Sequence, residues 1–199
     1  MEEALGMSFA GKRALVCMKH VGMNVAADAF VNSAMTGANG GLMVVAADDP
    51  SMHSSQNEQD SRFYGKFALV PVFEPSCQQE TYEMTGYGFD LSERFRIPVL
   101  MRLTTRMAHS RAVVETRDAK TQNEKSYPAE ARQWVLMPGN SRARYKVLIE
   151  DYRKLEEEAA SSRFNRLSDG PDKSMGIIAC GIASVSYTHL RAHETELHL

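Results

Sequence analysis

Short apolar runs alternate with longer, more polar segments through the first hundred residues of this chain. The apolar runs lie near residues 14–19, 42–47, 69–73 and 98–103, and they are rich in Val, Leu, Met and Ala. Apolar runs of this length, separated by helical segments of roughly ten to fifteen residues, are typical of βαβ units. The pattern therefore predicts an α/β fold in which a parallel sheet is flanked by helices.

Turn and capping residues predict where the helices begin and end. A helix is expected over residues 24–35, and Asn39 with Gly40 is expected to supply the positive φ of the turn after it. Residues 55–58 (Ser-Gln-Asn-Glu) and 76–79 (Ser-Cys-Gln-Gln) match the capping box, which satisfies free amides at a helix start. We therefore expect one helix to follow each of these motifs.

Composition excludes several classes of function. The net charge of −2 gives no reason to expect a nucleic acid or an anionic membrane as partner. No apolar run approaches the ~20 residues that a membrane span needs. The three cysteines are scattered and odd in number, which argues against a disulfide scaffold and favours a cytoplasmic location. No CxxC spacing occurs, so neither an iron–sulfur cluster nor another metal site is predicted within these residues.

A polar segment follows the second apolar run and is the main candidate for function. Residues 48–62 read DDPSMHSSQNEQDSR, with Met52 as the single aliphatic side chain. In an open α/β sheet, ligands bind outside the carboxyl ends of the strands. Because this segment follows a predicted strand directly, we expect it to lie at that edge, beside the polar residues Lys19 and His20 that end the first strand.

Two motifs carry a resemblance to a known family. CMKHVGMN, at the end of the first strand, and ADDPSMHSSQNEQDSRFYGKFALVP resemble the α subunit of indolepyruvate ferredoxin oxidoreductase. The similarity extends from about residue 2 to residue 184. It implies a thiamine-diphosphate-binding fold and a parent enzyme that oxidatively decarboxylates indolepyruvate and other aryl pyruvates to acyl-CoA, with ferredoxin as electron acceptor.

The resemblance also implies roles for particular residues. It places His20, Gly22 and Asn24 among the cofactor-binding residues. The substrate-binding residues would be His53, Ser54, Gln56 and Asn57, with His53 as the candidate catalytic residue. Taken alone, these are also ordinary strand-end and loop residues. Asp48 and Asp49 are either a carboxylate pair or, through Asp49-Pro50, the start of a turn.

The implied cofactors extend beyond these residues. The parent would use thiamine diphosphate, Mg²⁺, CoA as co-substrate and [4Fe-4S] clusters, and its partners would be a β subunit, ferredoxin and a 2-oxo acid. By spacing, the family's cofactor-activating glutamate falls just before Met1, so this role is not given to Glu2 or Glu3. We therefore expect none of the cofactors to be fully bound by this chain. The alternatives are another 2-oxoacid ferredoxin oxidoreductase, for pyruvate or a branched 2-oxo acid, and a non-catalytic α/β binding module.

Four segments are expected along the chain. Residues 1–122 would be a partial pyrimidine-binding domain, 123–173 a helical linker, and 174–184 the first strand of a second α/β domain. Residues 185–195, VSYTHLRAHET, match the translation of a sequencing-library transposon end. Residues 185–199 are therefore expected to be adaptor read-through, and the fold is expected to be truncated at both ends.

Overall fold

Four parallel strands form the centre of the computed structural model, which describes residues 1–121, 123–169 and 174–194. The strands lie side by side in the order β1-β2-β4-β3. Their bounds are β1 Ala14–Lys19, β2 Leu42–Asp48, β3 Val72–Phe73 and β4 Val99–Thr104. The predicted α/β fold with a parallel sheet is confirmed.

Helices flank this sheet and follow the strands in alternation. They are α1 Glu2–Phe9, α2 His20–Val25, α3 Ala27–Thr36, α4 Arg62–Ala68, α5 Gln78–Phe95, α6 Thr105–His109, α7 Pro138–Ala160 and α8 Ile182–Glu194. Two short 3₁₀ turns, Pro50–Met52 and Ala131–Trp134, complete the regular elements of the described residues. No helix among the described residues is long and apolar enough to cross a membrane.

The core lies around the two central strands. Met43 and Val44 of β2 and Leu100 of β4 are fully buried, and Phe30 of α3 packs into the same cluster. Each such side chain contributes about 1.5–3 kcal/mol by leaving water. The continuous apolar runs in the sequence reflect this burial of β2 and β4 on both faces.

The turn between α3 and β2 differs from the prediction. Positive φ is found at Gly37, where φ is 84°, and not at Gly40. Gly40 is needed for a different reason, because a Cβ there would lie 2.3 Å from the backbone oxygen of Lys12. The hydroxyl of Ser8, on α1, also donates to the Gly40 carbonyl at 2.5 Å.

The prediction of a capping box at residues 55–58 is wrong, because Ser55 and Glu58 make their hydrogen bonds within a loop. The Ser55 hydroxyl donates to Asp49, and the Glu58 carboxylate accepts from the Ser51 amide at 3.0 Å. Helix α4 begins only at Arg62. A helix does follow the second predicted capping box, at residues 76–79, since α5 begins at Gln78. The carboxylate that accepts from Ser76 there is that of Glu80, one residue after the expected Gln79.

Two other elements differ from their predicted bounds. The predicted helix over 24–35 is divided at Ala26 into α2 and α3. The predicted strand over 69–73 is reduced to β3, because Leu69 adopts a left-handed conformation and the Val70 amide bonds back to Gly65 at 3.0 Å. The start of that run therefore closes α4 instead of joining the sheet.

The region predicted as a helical linker packs against the sheet domain. Helix α7 buries Leu148 and Leu155 in the main core, and Arg144 donates to the carbonyl oxygen of Met35 at 3.1 Å. The predicted strand over 174–184 is not formed, since α8 begins at Ile182 and none of the four strands pairs with that run. Without a neighbouring strand its backbone has no ladder of hydrogen bonds. The proposed domain boundaries and the read-through origin of 185–199 remain predictions, and residues 195–199 lie outside the described residues.

Two glycines of α5 make a matched stability prediction. A Cβ at Gly86 meets nothing within 4 Å, so Gly86→Ala is expected to stabilise the fold by about 0.5–1 kcal/mol. A Cβ at Gly88 would lie 2.7 Å from the buried Met43 side chain, so Gly88→Ala is expected to destabilise it by about 1–3 kcal/mol. Urea denaturation of the two variants measures both effects. Destabilisation by Gly86→Ala would contradict the open surroundings of that position.

Candidate functional site

Three strand ends and one polar loop meet at the carboxyl edge of the sheet. Strand β1 ends at Lys19, β2 at Asp48 and β4 at Thr104, and the three strands are neighbours. Residues 49–61, here called the polar loop, leave the end of β2 and return at Ser61. The predicted position of this segment is therefore confirmed.

Asp49 anchors the polar loop from within. Its carboxylate is buried and accepts hydrogen bonds from the Ser54 amide at 2.8 Å, the Ser55 hydroxyl at 2.6 Å and the Thr105 hydroxyl at 2.7 Å. The bonds from Ser55, Thr105 and the Ser54 amide hold the pKa of Asp49 well below its usual range. Asp49 is therefore an ionised acceptor at neutral pH, rather than a proton donor.

Asp48 closes the base of the loop through a different set of contacts. Its buried carboxylate accepts from the amide of Ser61 at 2.9 Å and from the Ser61 hydroxyl. It also pairs with Arg102 of β4, whose Nε lies 2.5 Å away. Arg102 in turn reaches Glu74 at 2.5 Å. Because Asp48 and Asp49 each have their own partners, they do not act as a catalytic carboxylate pair.

The predicted substrate-binding side chains lie on the outer part of the loop. His53, Ser54, Gln56 and Asn57 are all exposed there. The Lys19 ammonium donates to the Ser54 carbonyl at 2.8 Å, which joins the end of β1 to the polar loop. The loop therefore presents this polar group beside the neighbouring strand end.

His53 follows two residues with unusual backbone conformations. Ser51 has a φ of 65° and Met52 a φ of 53°, and both values fall in the left-handed region. Such conformations cost about 1–3 kcal/mol each and are often found at functional sites. The direction in which His53 leaves the loop depends on this local geometry.

The predicted cofactor-binding residues begin α2, directly after β1. His20 is fully buried, and both of its ring nitrogens have no hydrogen-bond partner in the part of the chain that the structure describes. A buried polar group without a partner is uncommon and costly. The His20 imidazole is therefore the one predicted cofactor-binding group that is both buried and available for a further contact.

Gly22 and Asn24 are placed less favourably for binding. A Cβ at Gly22 would lie 3.1 Å from the Met18 side chain, so the glycine allows close packing on β1 rather than on a ligand. Asn24 is exposed, and its side-chain oxygen accepts from the hydroxyl of Tyr64. Asn24 also lies within α2 instead of opening the next helix.

Several residues that shape the site were not predicted. Arg102 could have been predicted from the sequence, because a charged residue inside the apolar run of a central strand needs a buried partner. Ser61, Thr105 and Tyr64 gave no comparable signal, since hydroxyl groups are common in loops and helix starts. Within residues 1–121, 123–169 and 174–194, no group of three or more His, Cys, Asp or Glu side chains is arranged to hold a metal ion.

Comparison with known proteins identifies the family, although no protein-family profile matches the chain. The chain is 44% identical over 200 residues to indolepyruvate oxidoreductase subunit IorA of Archaeoglobus fulgidus, and the alignment covers 100% of this chain and 32% of that subunit. The chain belongs to the IorA family. IorA of Methanothermobacter marburgensis is 44% identical over 91% of this chain, and IorA of Thermococcus kodakarensis 42% over 96%. The chain spans 30% of the length of each of these two relatives.

Proposed function

We propose that this IorA-family chain is part of the α subunit of an oxidoreductase that acts on indolepyruvate and other aryl pyruvates. The observation that carries the proposal is its 40–44% identity to six IorA subunits over 91–100% of its length. The reaction is oxidative decarboxylation to acyl-CoA, with ferredoxin as electron acceptor. A β subunit is the partner, and the three free cysteines fit a cytoplasmic location.

Within that enzyme, the polar loop and the start of α2 form one wall of the active site. The wall offers an exposed imidazole at His53, and histidine is the side chain best suited to exchange protons near neutral pH. It also carries the ammonium group of Lys19, which suits the carboxylate of a 2-oxo acid. Asp49 and Asp48 do not take part directly, because their oxygens hold the loop.

Thiamine diphosphate fits this wall only in part. The ring nitrogens of buried His20, which have no hydrogen-bond partner among the described residues, suit a polar group of the cofactor at the carboxyl edge of the sheet. The described residues hold no carboxylate cluster suited to the Mg²⁺ that accompanies the diphosphate. When bound, thiamine diphosphate supplies an electron sink for the decarboxylation. Mg²⁺, CoA and [4Fe-4S] clusters are assigned to the remainder of the enzyme.

Substrate preference tests the proposal. The full-length protein that carries this chain, assembled with its partner subunit, is supplied with CoA and ferredoxin. Ferredoxin reduction is followed with indolepyruvate, phenylpyruvate, pyruvate and 3-methyl-2-oxobutanoate. We expect kcat/KM for the two aryl substrates to exceed that for the two aliphatic ones by at least ~10-fold, within the range that pocket shape provides.

Two results would contradict the proposal in different ways. A preference for pyruvate or 3-methyl-2-oxobutanoate would assign the chain to another 2-oxoacid ferredoxin oxidoreductase. Absence of turnover with all four substrates, in protein that contains its clusters and thiamine diphosphate, would instead favour a non-catalytic binding module.

A further inference from the structure

The Asp49 carboxylate is surrounded by donors from two separate segments of the chain. The polar loop supplies the backbone amide of Ser54, which belongs to the peptide bond that follows His53, and the hydroxyl of Ser55. The first residue of α6 supplies the hydroxyl of Thr105, 2.7 Å from Oδ1. Asp49 therefore ties the part of the loop that carries His53 to the end of β4.

We propose that Asp49 is a positioning residue that fixes the backbone at His53 and so sets the direction of its imidazole. The inference rests on the proposed function, because it gives His53 a place in the 2-oxo acid site. Asp49 itself meets no substrate in this account. It acts through the loop backbone that it holds.

The neighbouring contacts show why this anchor is distinct from the one at Asp48. Asp48 binds Ser61 and Arg102, so it closes the base of the loop without contacting residues 53–55. Asp49 contacts Ser54 and Ser55 directly, immediately after His53. Between the two aspartates and His53 lie Ser51 and Met52, whose left-handed φ values fix a sharp change in chain direction.

A second carboxylate supports the opposite side of the same turn. Glu58 accepts from the Ser51 amide at 3.0 Å, but it is exposed, whereas Asp49 is only 2% exposed. Buried hydrogen bonds are screened less by water and define geometry more strongly than exposed ones. The orientation of His53 is therefore assigned mainly to Asp49.

Hydrogen exchange on the present chain tests the anchoring step. Asp49→Asn keeps the size of the side chain but replaces one acceptor oxygen with a donor. We expect the amide of Ser54 to exchange at least about tenfold faster in D49N, while the Ser61 amide, which Asp48 holds, is unchanged. Asp90→Asn is the matched control, because Asp90 is an exposed carboxylate on α5 that pairs with Arg13 and Lys120. Unchanged exchange at the Ser54 amide would overturn the inference.

A double-mutant cycle in the full-length enzyme tests the positioning step. We expect D49N to lower kcat on the order of 10²-fold, because small misplacements of a catalytic group have effects of this size, and to change KM by less than about threefold. In the His53→Ala background the same substitution is expected to lower kcat by less than about threefold, since Asp49 acts through His53.

The cycle separates this inference from the function on which it rests. An equal loss from D49N with and without His53 would overturn the positioning role, because Asp49 would then act independently of His53. Wild-type turnover in D49N with a large loss in H53A would overturn it as well and leave the proposed site intact. Wild-type turnover in H53A would instead refute the function proposed for the site, and the inference with it.

Discussion

His53→Ala in the full-length enzyme is expected to lower turnover of aryl 2-oxo acids by roughly 10²–10⁴-fold, the range found when a general acid or base is removed. His53 is exposed on the polar loop, so its removal leaves the core unchanged. We therefore expect the thermal midpoint to move by no more than a degree or two, because exposed substitutions usually change stability by less than about 0.5 kcal/mol. Steady-state ferredoxin reduction and thermal unfolding of the same preparation measure the two effects.

A second variant separates proton transfer from simple hydrogen bonding. His53→Gln retains a polar side chain but does not exchange protons near neutral pH. We expect the turnover of His53→Gln to be as low as that of His53→Ala. Turnover of either variant within about threefold of the wild type would contradict the role of His53.

The largest expected loss of stability is at Asp48. Asp48→Ala is expected to destabilise the chain by about 3 kcal/mol, the lower end of the range for breaking a buried ion pair, because Arg102 loses one of its two close carboxylate partners. Arg102, whose side chain is 9% exposed, keeps its ion pair with Glu74, but the amide of Ser61 also loses its acceptor. For a chain of this size the melting temperature would fall by roughly 10 °C. Urea and thermal denaturation of the chain measure the change.

Asp90→Ala provides the control for this prediction. Asp90 is also paired with cations, Arg13 and Lys120, but its side chain is 44% exposed. Exposed ion pairs contribute about 0–1 kcal/mol, so the control variant should remain close to the wild type. Equal losses of stability from the two substitutions would show that the buried Asp48–Arg102 pair contributes no more than an exposed ion pair.

The strands could be predicted because a strand that is buried on both faces consists mostly of consecutive apolar residues. The run Leu42–Asp48 is apolar until its carboxyl end, and Val99–Thr104 is apolar except for Arg102 until polar residues begin at Thr104. That change of character also predicted where the polar loop would lie. By contrast, the run over 69–73 is also apolar, yet Leu69 takes a left-handed conformation that closes α4.

The internal order of the site could not be predicted, because it depends on contacts between distant residues. Asp48 meets Arg102 across 54 positions, and Asp49 meets Thr105 across 56. A capping-box pattern at residues 55–58 could not reveal that Ser55 would bond to Asp49 instead of to a helix amide. Local patterns identify donors and acceptors, but the tertiary fold decides how they pair.

The most direct test of the account is a structure of the full-length protein with thiamine diphosphate and an unreactive aryl 2-oxo acid analogue. We predict that the bound analogue lies at the carboxyl edge of the sheet, in contact with His53 and its neighbours on the polar loop. We also predict that a ring nitrogen of His20 forms a hydrogen bond with the cofactor. A ligand bound elsewhere, with the polar loop still facing solvent, would contradict the account.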